Sequence, residues 1–380
     1  MTRLRFRAGA AVLGFFLALV VAAAQPRAAE GTSLDDSARI LAGLAPSAGS
    51  PAAELAGQAG WKQHAQAMDQ AWANMEKRQL GLVRDWTKQK MPPSPKTLYY
   101  MFSGPDFLYA DAFFPDARTY ILAGLEPVGG IPDPVQMAPA QLTADLSQMR
   151  GSLKTLLAAS YFITKDMMRE FGQGKVTGAL PVISVFMVRT GKTIKDVTYL
   201  TLNADGTLIE HPAGIKSLPN AIRITFNPGP GSEDRTLYYF STNLANGGFS
   251  KSGFPEFLKQ HAPGAAFVKS GSYLLHGGDF SQVREFLLAN TSVILQDDTG
   301  VPLAMFPAGW KVKPYGNYVG PIPIFKYAYQ ARLKELFKSA PAEPVKFGIG
   351  YRWQPHETAF MLATREATAE IAPPEGTKRQ

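Results

Sequence analysis

The spacing of apolar residues divides the N-terminal half of the chain into helical and strand-like stretches. From Trp61 to Trp86, apolar residues recur every three or four positions, which predicts an amphipathic helix that ends before Pro92. Two short apolar runs, Thr97–Phe102 and Thr119–Leu125, predict strands, and the segment between them can form a short helix. A strand–helix–strand unit of this length predicts two parallel strands.

Residues 180–242 carry a different pattern. Five strand-like runs are separated by turn sequences rich in Asn, Asp, Gly and Pro, which predicts an antiparallel meander at about residues 180–245. These runs are Val182–Val188, Asp196–Leu202, Thr207–Glu210, Ala221–Phe226 and Thr236–Ser241. The meander either extends the main sheet or forms a lobe of its own.

Helical and strand patterns alternate in the rest of the chain. Helices are predicted over Phe254–His261, Asp279–Ala289, Phe325–Phe337 and Gln141–Phe171, the last as one long helix or a pair broken near Gly151. Strands are predicted within Ala265–Leu275 and at Ser292–Leu295. Residues 301–306 can pair with the last of these strands, 307–323 is a predicted loop, and Phe347–Trp353 with Ala359–Thr364 is a predicted closing hairpin. The fold class is therefore mixed α/β: a three-layer-like body with an inserted antiparallel meander and an N-terminal amphipathic helix.

The N-terminus has the pattern of a secretory signal over residues 1–24. Three arginines precede an apolar stretch that ends in Ala22-Ala23-Ala24, a sequence that suits signal peptidase; an uncleaved anchor helix is the alternative. Residues 25–58 are rich in Ala, Gly, Ser and Pro and indicate a flexible leader with one short helix around Ser37–Leu44. The body then spans 59–380 with a frayed tail at 366–380. We therefore expect a periplasmic or secreted protein with no stable membrane span after cleavage.

Composition narrows the possible chemistry. The chain has no cysteine, which excludes disulfides, cysteine-ligated metals and a thiol nucleophile. The formal charge is +8, from 39 basic and 31 acidic residues; removing three arginines with residues 1–24 leaves 36 − 31 = +5. This mild charge does not indicate a nucleic-acid partner.

Polar residues follow several of the predicted strands. Ligands of open α/β sheets bind beyond the carboxyl ends of the parallel strands, so these residues are the catalytic candidates if their strands are neighbours. The candidates are Ser103, Asp106, Glu126 and His276; Asp279 follows the same segment as His276 and also suits a helix capping box with Gln282, and Asp297 and Asp298 follow a further strand. In this hypothesis Glu126 or Asp106 acts as a general base or orients His276, and Ser103 is a nucleophile or a hydrogen-bond donor.

Each candidate also has a structural interpretation. Asp106 is a natural N-cap for the helix that follows it, and Asp297-Asp298-Thr299-Gly300 suits a hairpin turn. Glu126 follows a buried strand, where an ion pair with Arg118 or a lysine is the alternative to a functional role. His276 can form a hydrogen bond within the core.

A segment rich in aromatic residues and lysines, Trp310–Tyr329, suggests a ligand surface. Aromatic rings beside cations suit glycans or anionic polymers, and Tyr315 and Tyr318, together with Asp297, are the ligand-binding candidates; packing of a long loop is the alternative. The common nucleotide, zinc-protease and hydrolase motifs do not occur in the sequence, so no cofactor or metal is assigned.

Two functions fit these observations. The first is a hydrolase-like enzyme that acts on an envelope or extracellular substrate, either a small molecule or a polymer. The second is a non-catalytic periplasmic ligand-binding or envelope-assembly protein. A closed polar pocket would favour the enzyme, and a shallow aromatic groove would favour binding.

Overall fold

The computed structural model describes residues 31–159, 176–212, 219–339 and 342–365. Ten strands form one mixed sheet in the order β4-β3-β5-β6-β2-β1-β7-β8-β10-β9. The strands are β1 Thr97–Tyr100, β2 Thr119–Gly124, β3 Thr193–Leu202, β4 Leu208–His211, β5 Ala221–Asn227, β6 Arg235–Ser241, β7 Gly264–Val268, β8 Thr291–Asp297, β9 Trp310–Gly316 and β10 Ala359–Arg365.

The centre of the sheet is parallel and its two sides are antiparallel. Strands β6, β2, β1, β7 and β8 run parallel to one another, which confirms the predicted strand–helix–strand unit of β1 and β2. Strands β10 and β9 extend one side antiparallel, and β5, β3 and β4 extend the other. The meander is therefore part of the main sheet.

Helices cover both faces of this sheet. They are α1 Leu34–Leu41, α2 Ala59–Met75, α3 Gly81–Lys90, α4 Phe107–Phe113, α5 Pro139–Ala159, α6 Ala179–Arg189, α7 Asn246–Phe249, α8 Phe254–Lys259, α9 Ser281–Asn290 and α10 Ala331–Ser339. A short π-helical segment, Glu76–Leu80, joins α2 to α3, so the predicted amphipathic helix is present and longer than expected.

The alternation of side chains along β1 separates two apolar cores. Leu98 and Tyr100 pack in the core that includes α3, α4, α5 and α6, whereas Tyr99 and Met101 pack in the core that includes α8 and α9. The protein therefore has three layers, as the pattern predicts. None of the helices in the described ranges is both long and apolar enough to cross a membrane.

The prediction of a strand at Val182–Val188 is wrong, because this run lies inside helix α6. Every residue from 179 to 188 is buried, so the helix is apolar on all sides and shows no amphipathic period. A short apolar run of this kind is compatible with a strand or a buried helix, and only packing between the sheet and its neighbours distinguishes them.

The predicted pairing in the C-terminal part is also corrected. Residues 301–306 do not pair with β8; they contain the 3₁₀ turn Leu303–Met305, and β8 pairs with β7 and β10. The predicted loop 307–323 contains strand β9, which takes the place next to β10 that Phe347–Trp353 was expected to occupy. Periodicity predicts strands but does not choose their partners.

The N-terminal segment also differs from the flexible leader that the sequence predicts. The predicted short helix is present as α1, but it is packed against the body, and Ile40 and Leu41 are buried. Side chains from the body bind three successive carbonyl oxygens at the carboxyl end of α1. These hydrogen bonds are Trp61 Nε1 to Ile40 O at 3.1 Å, His64 Nε2 to Leu41 O at 2.8 Å and Arg189 Nε to Ala42 O at 2.8 Å. The predicted signal at 1–24, the tail at 366–380 and the second half of the helix Gln141–Phe171 lie outside the described residues.

Candidate functional site

Strand β1 lies at the point where the order of strands in the sheet reverses. The chain passes from β1 through α4 to β2 on one side, and it later places β7 on the other side of β1. At such a switch point the loops after the two neighbouring strands diverge, which leaves a crevice at their carboxyl ends. The residues that follow β1, β7 and β8 meet at this edge.

A buried ion pair occupies the switch point. Lys269, directly after β7, places its Nζ 2.7 Å from Oδ2 of Asp106, and the two side chains are 3% and 1% exposed. The hydroxyl of Tyr100 donates to the same carboxylate oxygen at 2.8 Å, and the Lys269 ammonium lies 4.1 Å from the centre of the Tyr109 ring. Burial lowers the pKa of Lys269, although the carboxylates of Asp106 and Asp297 oppose that shift.

Asp106 also begins helix α4. Its Oδ1 accepts a hydrogen bond from the backbone N–H of Tyr109 at 3.2 Å. The N-cap interpretation of this residue is therefore correct, but it accounts for only one carboxylate oxygen. The second oxygen belongs to the ion pair with Lys269.

Asp297, at the end of β8, supports the loop that follows β7. Its carboxylate accepts hydrogen bonds from the backbone N–H of Ser270 at 2.8 Å and of Thr299 at 2.9 Å, and also from the Thr299 hydroxyl. Burial raises the pKa of Asp297, and these hydrogen bonds oppose the shift. Gly350 lies against the carboxylate, since an ideal Cβ on Gly350 would be 2.1 Å from Asp297 Oδ2.

Asp298 follows Asp297 in the chain and is also buried. Its Oδ2 accepts a hydrogen bond of 2.7 Å from the hydroxyl of Tyr273. Burial and then the neighbouring charge of Asp297 raise the pKa of Asp298 to about 7, against the effect of the Tyr273 hydrogen bond. Its backbone carbonyl accepts from Gln330 Nε2 at 3.1 Å, which links the site to the segment before α10.

Backbone strain is concentrated at the same edge of the sheet. Four non-glycine residues in the described ranges have a positive φ, and all four lie in the loops after β1 and β7: Phe102, Ser270, Ser272 and Tyr273. Left-handed backbone costs free energy for residues with a Cβ, and it persists where the surroundings hold it. Side chains after β8 hold the loop that follows β7 in this conformation. Asp297 binds the backbone of Ser270, Thr299 binds the backbone of Gly271, and Asp298 binds the hydroxyl of Tyr273.

Glu126 and Ser103 lie on the β2 side of the switch point. An ideal Cβ on Gly104 would be 3.2 Å from Oε2 of Glu126, so the carboxylate packs against the loop that carries Ser103. The described residues form no ion pair with Glu126, which is 5% exposed; its Oε2 lies 3.4 Å from the hydroxyl of Tyr239. The Ser103 hydroxyl bonds instead to backbone groups, with Gly104 O at 2.9 Å and Ala123 N at 3.2 Å.

His276 lies beyond the strained loop, next to the Asp298 side of the site. Its ring packs edge-on against Tyr273, with 5.2 Å between the ring centres. Burial lowers the pKa of His276 to about 4, and nearby backbone groups of Asp298 and Gly300 oppose the shift. No hydrogen bond among the described residues joins His276 to Ser103 or Glu126, so the structure associates His276 with Tyr273 and Asp298.

The two tyrosine candidates occupy different environments. Tyr315 is 2% exposed and packs in the core against Trp86, with 5.0 Å between ring centres. Tyr318 is 1% exposed, and its hydroxyl accepts a hydrogen bond from the backbone N–H of Gln330, the residue that binds Asp298. Tyr318 is therefore linked to the site through Gln330, whereas Tyr315 is a core side chain.

Sequence reasoning missed the central cation, Lys269. The run Ala265–Leu275 was predicted to contain one or two strand segments, which did not set Lys269 at a strand end. The signal that could have located it is a single lysine inside an apolar run, followed by Ser270 and Gly271. Tyr273 gave no such signal, because its role depends on a left-handed backbone conformation.

The donor set of the site is oxygen-rich, with one ammonium group. Within the described ranges, no three His, Cys, Asp or Glu side chains are grouped closely enough to hold a metal ion. No protein-family model, curated protein or solved structure matches this chain.

Proposed function

We propose that this protein is a hydrolase-like enzyme whose site lies at the carboxyl ends of β1, β7 and β8. The observation that carries the proposal is the gathering of four buried charged side chains at the switch point of the sheet: Asp106, Lys269, Asp297 and Asp298. Buried charges and a strained backbone both cost free energy, and each is a feature of sites where proteins bind or transform ligands.

Asp298 is the proposed general acid–base group. A catalytic group transfers protons most effectively when its pKa is near the working pH, and the pKa of Asp298 is raised to about 7. Tyr273 orients one oxygen of this carboxylate through its hydrogen bond. Asp298 can then take a proton from water as it attacks the substrate, or give one to the leaving group.

Lys269 is the proposed electrostatic group. A buried ammonium acts in a medium of low effective dielectric, where it stabilises a developing negative charge more strongly than it would in water. Its ion pair with Asp106 fixes its position at the end of β7. Glu126, which is buried without an ion-pair partner among the described residues, is the proposed second carboxylate on the β2 side.

The compartment in which this activity takes place is inferred from the sequence pattern at the N-terminus. Residues 1–24 have the features of a secretory signal, so the proposed substrate is an envelope or extracellular molecule and the proposed location is periplasmic or extracellular.

A hydrolase screen with matched variants tests the proposal. The purified protein is assayed against ester, phosphate, glycoside and peptide substrates. Asp298→Asn is compared with Asp279→Asn, which changes an exposed carboxylate in the segment between β7 and α9. We expect Asp298→Asn to lower kcat by roughly 100-fold or more and to remove the pH dependence near pH 7, with Asp279→Asn unchanged. Equal activity in the two variants would remove Asp298 from the mechanism.

A non-catalytic binding protein is the second candidate, and the exposed rings of Tyr327 and Tyr329 favour it, at 74% and 52% exposure. In that case a ligand would raise the melting temperature of the protein without being converted. If the unmodified protein converts a substrate and Asp298→Asn does not, the protein is an enzyme and this second candidate is excluded.

A further inference from the structure

Exposed apolar side chains are concentrated on one part of the surface. Six of the ten large apolar side chains that are exposed in the described ranges lie on three segments near the β9 side of the sheet. These six, which we call the aromatic surface, are Met305, Val319, Ile324, Tyr327, Tyr329 and Trp353. Scattered exposed apolar residues are ordinary, but a cluster of this kind marks an interaction site.

Hydrogen bonds hold the three segments of the aromatic surface together. The backbone N–H of Leu303 donates to Gln330 Oε1 at 3.0 Å, which ties the Met305 turn to the end of the Tyr329 segment. The guanidinium of Arg352 donates to Gly320 O at 3.1 Å and to Pro321 O at 2.9 Å, which brings Trp353 to the same segment. The three segments that carry the six side chains are therefore tied to one another.

The most exposed residues are presented by an anchored turn. Ile324 and Tyr327 are both 74% exposed and lie in the 3₁₀ turn Pro323–Ala328. Between them, Phe325 packs against the rings of Tyr273 and Tyr351, with 5.2 and 5.4 Å between ring centres. Because Phe325 is fixed by these contacts, the turn keeps the side chains of Ile324 and Tyr327 exposed to solvent.

The segments around the aromatic surface are basic. Residues 303–339 contain six cations, Lys311, Lys313, Lys326, Arg332, Lys334 and Lys338, and one acid, Glu335. Lys326, Arg332 and Lys338 are exposed and form no ion pair with any described residue. Lys313 forms an ion pair with Glu343, and the other residues of this range keep an excess of 5 − 1 = +4, which attracts an anionic partner.

We propose that the aromatic surface binds the headgroup region of an anionic lipid bilayer. Tyrosine and tryptophan favour the interface between water and lipid, and basic residues beside them are attracted to anionic headgroups. The three aliphatic side chains, Met305, Val319 and Ile324, gain from contact with acyl chains, whereas a sugar polymer offers them little apolar surface. The proposal does not depend on the proposed hydrolase activity, since it concerns a different set of side chains.

Vesicle binding of the purified protein tests this inference. The vesicles consist of phosphatidylcholine alone or of an equal mixture of phosphatidylcholine and phosphatidylglycerol, and binding is measured by co-sedimentation. We expect binding to the mixed vesicles that weakens with added salt. Ile324→Ser should bind about tenfold more weakly because an inserted apolar side chain is lost, and Lys326→Gln about fivefold more weakly.

Matched variants keep the test specific. Ile209→Ser replaces an isoleucine that is 47% exposed on β4, at the opposite edge of the sheet, and Lys251→Gln replaces an exposed lysine elsewhere. Both should bind vesicles like the unmodified protein, and all four variants should keep its melting temperature. Binding that is undiminished in Ile324→Ser and Lys326→Gln would overturn the proposal. Retention on an insoluble acidic polysaccharide without vesicle binding would also overturn it.

Discussion

Lys269 Nζ lies 2.7 Å from Asp106 Oδ2, and these two residues are supplied by loops that follow neighbouring strands on opposite sides of the switch point. The ammonium and the carboxylate are both almost fully buried. The pair therefore joins the loop after β1 to the loop after β7, and each partner depends on the other to offset its loss of hydration.

Removal of one partner of this ion pair should destabilise the protein strongly. Asp106→Asn and Lys269→Met each leave one buried charge without its partner, and we expect each to lower the free energy of unfolding by about 3–5 kcal/mol. The double variant should lose less than the sum of the two single variants. Urea unfolding of the four proteins measures this coupling, and additive losses would show that the pair contributes no interaction energy.

Glu126→Gln should behave in the opposite way to Asp106→Asn. Both carboxylates are buried, but only Asp106 has an ion-pair partner among the described residues. The amide removes a buried charge, and the Tyr239 hydroxyl keeps its 2.8 Å hydrogen bond to the Glu126 carbonyl oxygen. We expect an equal or higher melting temperature together with lower activity. A fall as large as that of Asp106→Asn would assign Glu126 a structural role.

Gly350→Ala should displace the Asp297 carboxylate. Gly350 has a φ of +71°, and a Cβ there would approach Asp297 Oδ2 to 2.1 Å. Gly191→Ala is the matched control, because Gly191 has a φ of +80° and no atom within 4 Å of an added Cβ. The control should cost about 1–2 kcal/mol for the left-handed backbone alone. Denaturant unfolding should show a larger loss for Gly350→Ala, and similar losses would mean that the loop absorbs the contact.

Acid should weaken the attachment of α1 through His64. This side chain is fully buried between Leu41 O and Arg150 Nη1, at 2.8 and 3.0 Å, and burial lowers its pKa to about 4. The unfolded chain binds the proton near the ordinary value of 6.5, so the contribution of His64 is complete above pH 6.5 and decreases toward pH 4. The loss over this window is up to about 3 kcal/mol.

Stability measured against pH tests this prediction when His64→Gln is compared with the unmodified protein. Glutamine can donate to the carbonyl and accept from the arginine without titrating, so the variant should lose less stability between pH 6.5 and pH 4. His276, whose pKa is also lowered to about 4, remains in both proteins and contributes equally. Parallel curves would show that His64 has no part in the acid sensitivity.

The local pattern determined most of the elements near the site. Apolar runs bounded by turn residues located β1 and β2, and the Asp106 side chain caps α4 as its position before a helical run predicts. The same pattern failed for Val182–Val188, because a helix that is buried on all sides has no polar face to mark its period. These features depend on residues close together in the sequence.

Tertiary structure alone decided which of the polar residues meet. Asp106 and Lys269 are far apart along the chain, and only the placement of β7 beside β1 brings them to one edge. The order of strands in a sheet follows from long-range packing, which leaves no local pattern to read. The sequence therefore located the strand ends and their acids, whereas the fold selected the partners of those acids, because burial and pairing depend on every layer of the molecule at once.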